Sequence, residues 1–151
     1  MLFHSLQLRG NACIQSVVVD IKDKSAFDRR IYHRFEFHLV VLLDFWSAEL
    51  GSSNALNADL KELYRKYADA PVGFEVYQVA VETSKPMWIN TVQEQSLPWI
   101  SVCDLRGEAS PALTIYNVRK LPANYLIDRK GDIVAKDLYG TSLEQQLEKL
   151  L

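Results

Sequence analysis

The chain has 151 residues, 48% hydrophobic and 24% charged, ordinary globular usage that excludes collagen-like, low-complexity and highly charged disordered classes. Folding at this length buries roughly 70% of the unfolded chain's surface, enough for one sizeable core. With 17 Lys and Arg against 19 Asp and Glu the net charge is −2, and no dense basic run occurs, which points away from nucleic acid and from anionic membranes and leaves small molecules and proteins as partners.

The opening segment is broken by Gln7, Arg9 and Asn11 before it reaches the roughly seven to fifteen apolar residues of a signal core, so no secretory signal is legible. Residues 1–37 hold one strand-like run, Ser16 to Ile21, and read as a strand or hairpin extension of a domain formed by residues 38–151. Leu39 to Trp46 lacks period-two alternation, as expected of a central strand covered on both faces. Its five-residue apolar stretch, Leu39 to Leu43, falls far short of the ~18 residues needed to span a membrane. After Gly51-Ser52-Ser53-Asn54, apolar residues at Leu56, Leu60, Leu63, Tyr64 and Tyr67 mark one face of a helix. Val76 to Val81 follows as a second buried strand, giving a βαβ unit.

Ser84 with Pro86 opens a short helix carrying Trp88, Ile89 and Val92, and Trp99 to Cys103 reads as a strand. Ser110-Pro111 is a helix cap followed by proline at the first helical position. Ala123 to Ile127 and Ile133 to Lys136 flank Asp128-Arg129-Lys130-Gly131, a hairpin whose glycine suits the positive φ of a bulged turn. Thr141 and Glu144 have capping-box spacing, and Leu143, Leu147, Leu150 and Leu151 form the stripe of a terminal helix.

Cys13 and Cys103 are the only cysteines, and His4, His33 and His38 lack the spacing of a metal pair on one helix face, so neither a disulfide framework nor a metal site is expected. Cys103 ends a strand, where it is either a redox thiol at the crevice or a buried free thiol. Trp46 either lines a groove or covers the sheet as a core aromatic. Ser52 and Ser53 lack a nucleophile elbow and a following histidine, and read as helix caps.

This order of elements resembles the thioredoxin fold. Val40-Val41-Leu42-Leu43-Asp44-Phe45-Trp46 is similar to the strand that runs into the family's active site, and Val118 to Asp128 is similar to the strand beginning at its cis-proline, here Pro122. The segments between them resemble the extra helix and strand of the extracytoplasmic thiol-disulfide oxidoreductases of the redoxin and thiol-specific-antioxidant group, and the likeness covers about residues 38–151. The expected fold is therefore α/β and thioredoxin-like, with a mixed central sheet flanked by helices.

The family's Trp-Cys-x-x-Cys corresponds here to Glu49-Leu50-Gly51-Ser52-Ser53. Leu50 stands for the attacking thiol and Ser53 for the resolving one, and neither can form the thiolate that disulfide exchange needs. Leu56 occupies the place of the family's buried Glu, while Asp44 matches the acid that some thioredoxins place beneath the second Cys.

The resemblance thus implies a degenerate active site: a redox-inactive module that binds a protein or extended peptide through Trp46, Leu121 and Pro122, without a cofactor. The alternative is a thiol-disulfide oxidoreductase or peroxide reductase in cell redox homeostasis using Cys103. Family resemblance implies the bacterial cell envelope, where such domains follow a signal or lipid anchor; neither is legible here, as would hold for a piece of a longer anchored protein. Leu50 is expected to bury against Trp46 or the Pro122 loop, because leucine gains about 1.5–3 kcal/mol only when it is buried. The Leu121–Pro122 bond is expected to be cis.

Overall fold

A computed structural model describes residues 18–20 and 39–151. Apart from Val18–Asp20, the extension expected over residues 1–37 lies outside the described residues, as does Cys13. In chain order the elements are β1 (Val18–Asp20), β2 (Val40–Trp46), α1 (Gly51–Tyr67), β3 (Phe74–Ala80), α2 (Lys85–Glu94), β4 (Ile100–Cys103), a 3-10 turn (Gly107–Ala109), α3 (Pro111–Ile115), β5 (Ala123–Ile127), β6 (Ile133–Lys136) and α4 (Gly140–Leu150).

Among the described residues six strands form one mixed sheet in the order β1-β4-β3-β2-β5-β6. The β2–β3, β3–β4 and β1–β4 pairs are parallel, whereas β5 runs antiparallel to both β2 and β6. All seven residues of β2 are buried, which explains its unbroken apolar run. Val40, Leu42 and Trp46 meet Leu60, Leu63, Leu143 and Leu147 from α1 and α4 on one face. Val41, Leu43 and Phe45 pack on the other face, with Ala112 of α3. Gly131 (φ +88°) turns the hairpin, and the register shifts between Leu126 and Ile127.

Two expected caps are corrected. The Ser110 hydroxyl makes no cap bond but donates to Asp104 Oδ2 at 2.6 Å. At the start of α4, Ser142 Oγ accepts from the Tyr139 N–H at 3.2 Å, while Glu144 lies 2.6 Å from Lys66 Nζ of α1, so Thr141 and Glu144 form no capping box. In both cases a tertiary or neighbouring partner outcompetes the local pattern. Ser84 does cap α2, accepting from the Met87 N–H at 3.3 Å.

Candidate functional site

The carboxyl ends of parallel strands are where α/β sheets place their sites. There β2 gives way at Trp46 to a tight turn into α1. Glu82, just beyond β3, holds this turn: Ser47 Oγ donates to Glu82 Oε1 at 2.7 Å, and the Ala48 N–H donates to the same oxygen. From the helix side, Asn54 Nδ2 donates to the Ala48 carbonyl at 3.0 Å. Sequence reasoning missed Glu82, whose only signal is an acid directly after an apolar strand.

Leu50 is the extended residue before the first helical turn, and its side chain is 38% exposed. The burial expected for it is corrected: the turn directs it outward while Trp46, at 0% exposure, is sealed inside. Trp46 is therefore a core aromatic and offers no face to a peptide. Ser53 is only 1% exposed and lies within α1, where its Oγ accepts from the Ser47 N–H at 3.4 Å. Ser52 and Ser53 do not cap the helix, because α1 begins at Gly51 with no side-chain cap.

The Leu121–Pro122 bond is cis. This loop meets the turn in two places. A cavity of about 20 Å³, with room for about one water molecule, is lined by Trp46, Ser53 and Pro122 together with Asp44, Asn124 and Tyr139. Outside it, a groove of about 610 Å³ is lined by Leu50, Val81, Leu113 and Leu121, with Glu108, Arg119 and Lys120 among its polar lining. The backbone N–H and C=O groups of Lys120 and Leu121 make no hydrogen bonds within the described residues.

Cys103 lies apart from this groove. Its side chain is 1% exposed within the core, Sγ donates to the Glu82 carbonyl at 3.7 Å, and it accepts from the Leu105 N–H at 3.3 Å. Burial pushes the thiol's pKa up, against the lowering effect of the Leu105 and Glu82 backbone contacts. A buried thiol held in its protonated form is a poor nucleophile.

Beneath the turn a row of polar residues crosses four strands. Register places Ser101 beside Gln78, Gln78 beside Asp44, and Asp44 beside Asn124, and all four are buried. Gln78 Nε2 donates to Asp44 Oδ2 at 2.8 Å and to Asn57 Oδ1 at 2.6 Å, while its Oε1 accepts from Trp99 Nε1 at 2.7 Å. Ser101 Oγ accepts from Trp88 Nε1 at 2.9 Å, and Asn124 is bonded to the Leu138 backbone. The chain continues outward: Asn57 Nδ2 donates to Gln95 Oε1 at 2.9 Å, Gln95 Nε2 to Asn54 Oδ1 at 2.7 Å, and Asn54 to Ala48. Burial pushes the Asp44 carboxyl up to about 7, opposed by the Gln78 amide. Tyr139 is pushed up to about 12, first by burial and then by the charges of Asp44 and Asp137.

Among the described residues no group of three or more His, Cys, Asp or Glu could hold a metal ion, and no helix is long and apolar enough to cross a membrane. All three histidines precede residue 39, so no imidazole of the described residues stands beside Ser53.

No protein-family model matches the chain. It is 27% identical over 111 residues to the thiol-disulfide oxidoreductase ResA of Bacillus thuringiensis subsp. konkukian, covering 74% of this chain and 61% of that protein. The chain thus spans about three fifths of the curated relatives it matches. A thiol-disulfide oxidoreductase structure from Bacteroides fragilis superposes with a TM-score of 0.70 at 28% identity, over 76% of this chain and 82% of that one. A thioredoxin-like protein from Bacteroides vulgatus gives a TM-score of 0.64 at 34% identity, over 76% and 72% of the two chains.

Proposed function

The chain belongs to the thioredoxin-like thiol-disulfide oxidoreductase family, and from that premise we propose that it is a redox-inactive member that binds an extended protein segment instead of exchanging its disulfides. One observation carries the reading: Leu50 and Ser53 occupy the positions of the family's two thiols, and the first is an exposed hydrocarbon while the second is a buried hydroxyl. Disulfide exchange requires an accessible thiolate, and neither group supplies one.

Two features support binding. The groove joins Leu50 to Leu121, and the unpaired backbone of Lys120 and Leu121 is open to a segment that adds to it as a strand would. Turn geometry is kept by Glu82 and Asn54 and needs no sulfur. Chemistry at Cys103 is the rival reading, and the burial and raised pKa of that thiol count against it. The cell envelope is the compartment we infer, from family resemblance.

Insulin-disulfide reduction and peroxide consumption, each measured before and after alkylation of the cysteines, test the proposal. The protein should match the protein-free blank in both. Turnover at the rate of an ordinary dithiol enzyme, lost on alkylation, would overturn it.

A further inference from the structure

The groove is not electrically neutral. Arg119 and Lys120 bring two cations to it from the loop before Pro122, against the single carboxylate of Glu108 on the 3-10 turn, in a chain whose net charge is −2. Arg119 is also restrained: its Nε donates to Asn117 Oδ1 at 3.2 Å, while its two terminal amino groups have no partner among the described residues. A guanidinium held in this way is preorganised for two parallel bonds to a carboxylate. Lys120 is exposed and likewise unpaired among the described residues. The apolar side chains beside this pair, Leu50, Val81, Leu113 and Leu121, suit an aliphatic residue and provide no hydrogen bonds to a polar one.

We propose that Arg119 and Lys120 make the groove selective for an extended segment carrying Asp or Glu next to an apolar residue. This rests on the peptide-binding reading above and adds to it the chemistry of the ligand. The segment's aliphatic side chain sits among the leucines, its backbone lies along Lys120 and Leu121, and its carboxylate meets the Arg119 fork. Glu108 repels a second acid, which fixes the direction in which the segment lies.

The test uses the full chain and three fluorescein-labelled peptides of one sequence, with Glu, Gln or Lys on either side of a central Leu, followed by fluorescence polarisation. The Glu peptide should bind about tenfold more tightly than the Lys peptide, with Gln between, and the spread should shrink as salt is raised to about 0.5 M. R119E/K120E should reverse the ranking, and its unfolding curve reports whether it has folded; the three peptides on the unaltered protein test the idea without it. Equal binding of all three overturns the charge selectivity and leaves peptide binding standing. Failure of all three to bind overturns both, and a dimer in sedimentation that R119E/K120E dissociates would assign the groove to a second copy of the chain and overturn the proposal.

Discussion

Two neighbouring regions reverse the usual division between polar and apolar groups. Across the middle of the sheet, Ser101, Gln78, Asp44 and Asn124 form a buried polar row whose amides and hydroxyl are engaged with Trp88, Trp99, Asn57 and the Leu138 backbone. Above it, the outward face presents Leu50 and Leu121, with the backbone of Lys120 and Leu121 unpaired among the described residues. The buried amides and the Asp44 carboxyl are bonded to one another, whereas the leucines of the groove are open to a ligand. On the proposed reading, the first region stabilises the fold and the second meets a partner, with Leu50 and Ser53 standing where the family keeps its two thiols.

The interior half is the easiest to break. Gln78→Leu should lower stability in urea denaturation by on the order of 3–5 kcal/mol, because it leaves the Trp99 N–H, the Asn57 amide and the Asp44 carboxyl without their partner. A loss below about 1 kcal/mol would mean that the row is not a supporting structure.

Asp44 gives the next largest effect. With a pKa of about 7 in the fold, it keeps its proton between about pH 4 and 7 while the unfolded chain ionises, so stability falls as pH rises through that window and levels off above it. The cost at pH 8 relative to pH 4 should be on the order of 2–4 kcal/mol. Asp44→Asn should remove this slope in denaturation curves taken across the range; an unchanged slope would place the titration elsewhere.

The exterior half should behave oppositely. Leu50→Ser should shift stability by less than about 0.5 kcal/mol, as for a surface site, yet weaken peptide binding several-fold. A large drop in melting temperature would restore the packing role first expected of this leucine. A still smaller perturbation is L50C/S53C, which should fold like the parent and titrate as a dithiol, since the spacing and the helix start are kept. Failure of the two thiols to pair under oxidation would show that the turn has drifted from dithiol geometry.

How much of this was legible depended on whether a residue's partner is near in sequence. The unbroken run of β2, the leucine stripe of α4 and the Gly131 hairpin are local signals, and all formed as read. The fold followed from them. The caps at Ser110 and Thr141 failed because Asp104 and Ser142 supplied better partners, and Lys66, far away in the chain, took Glu144. Asp44 is legible through its match to the family's acid, but its neighbours Gln78 and Asn124 are brought to it by strand register, which no local period encodes. The fates of Trp46 and Leu50 were set by the turn that Glu82 holds, a contact across 34 residues. The groove was half legible: Leu121 and Pro122 came from resemblance, whereas Arg119 and Lys120 gained meaning only once the turn was seen opposite them.

The separation of a closed polar interior from an adhesive surface is tested most directly by backbone chemical-shift mapping of the full chain titrated with the Glu-containing peptide. Shifts should cluster at Leu50, Val81, Leu113 and Arg119 to Leu121, with the amide signals of Gln78 and Asn57 unmoved. Shifts centred on Cys103, or spread through the polar row with the groove silent, would contradict it.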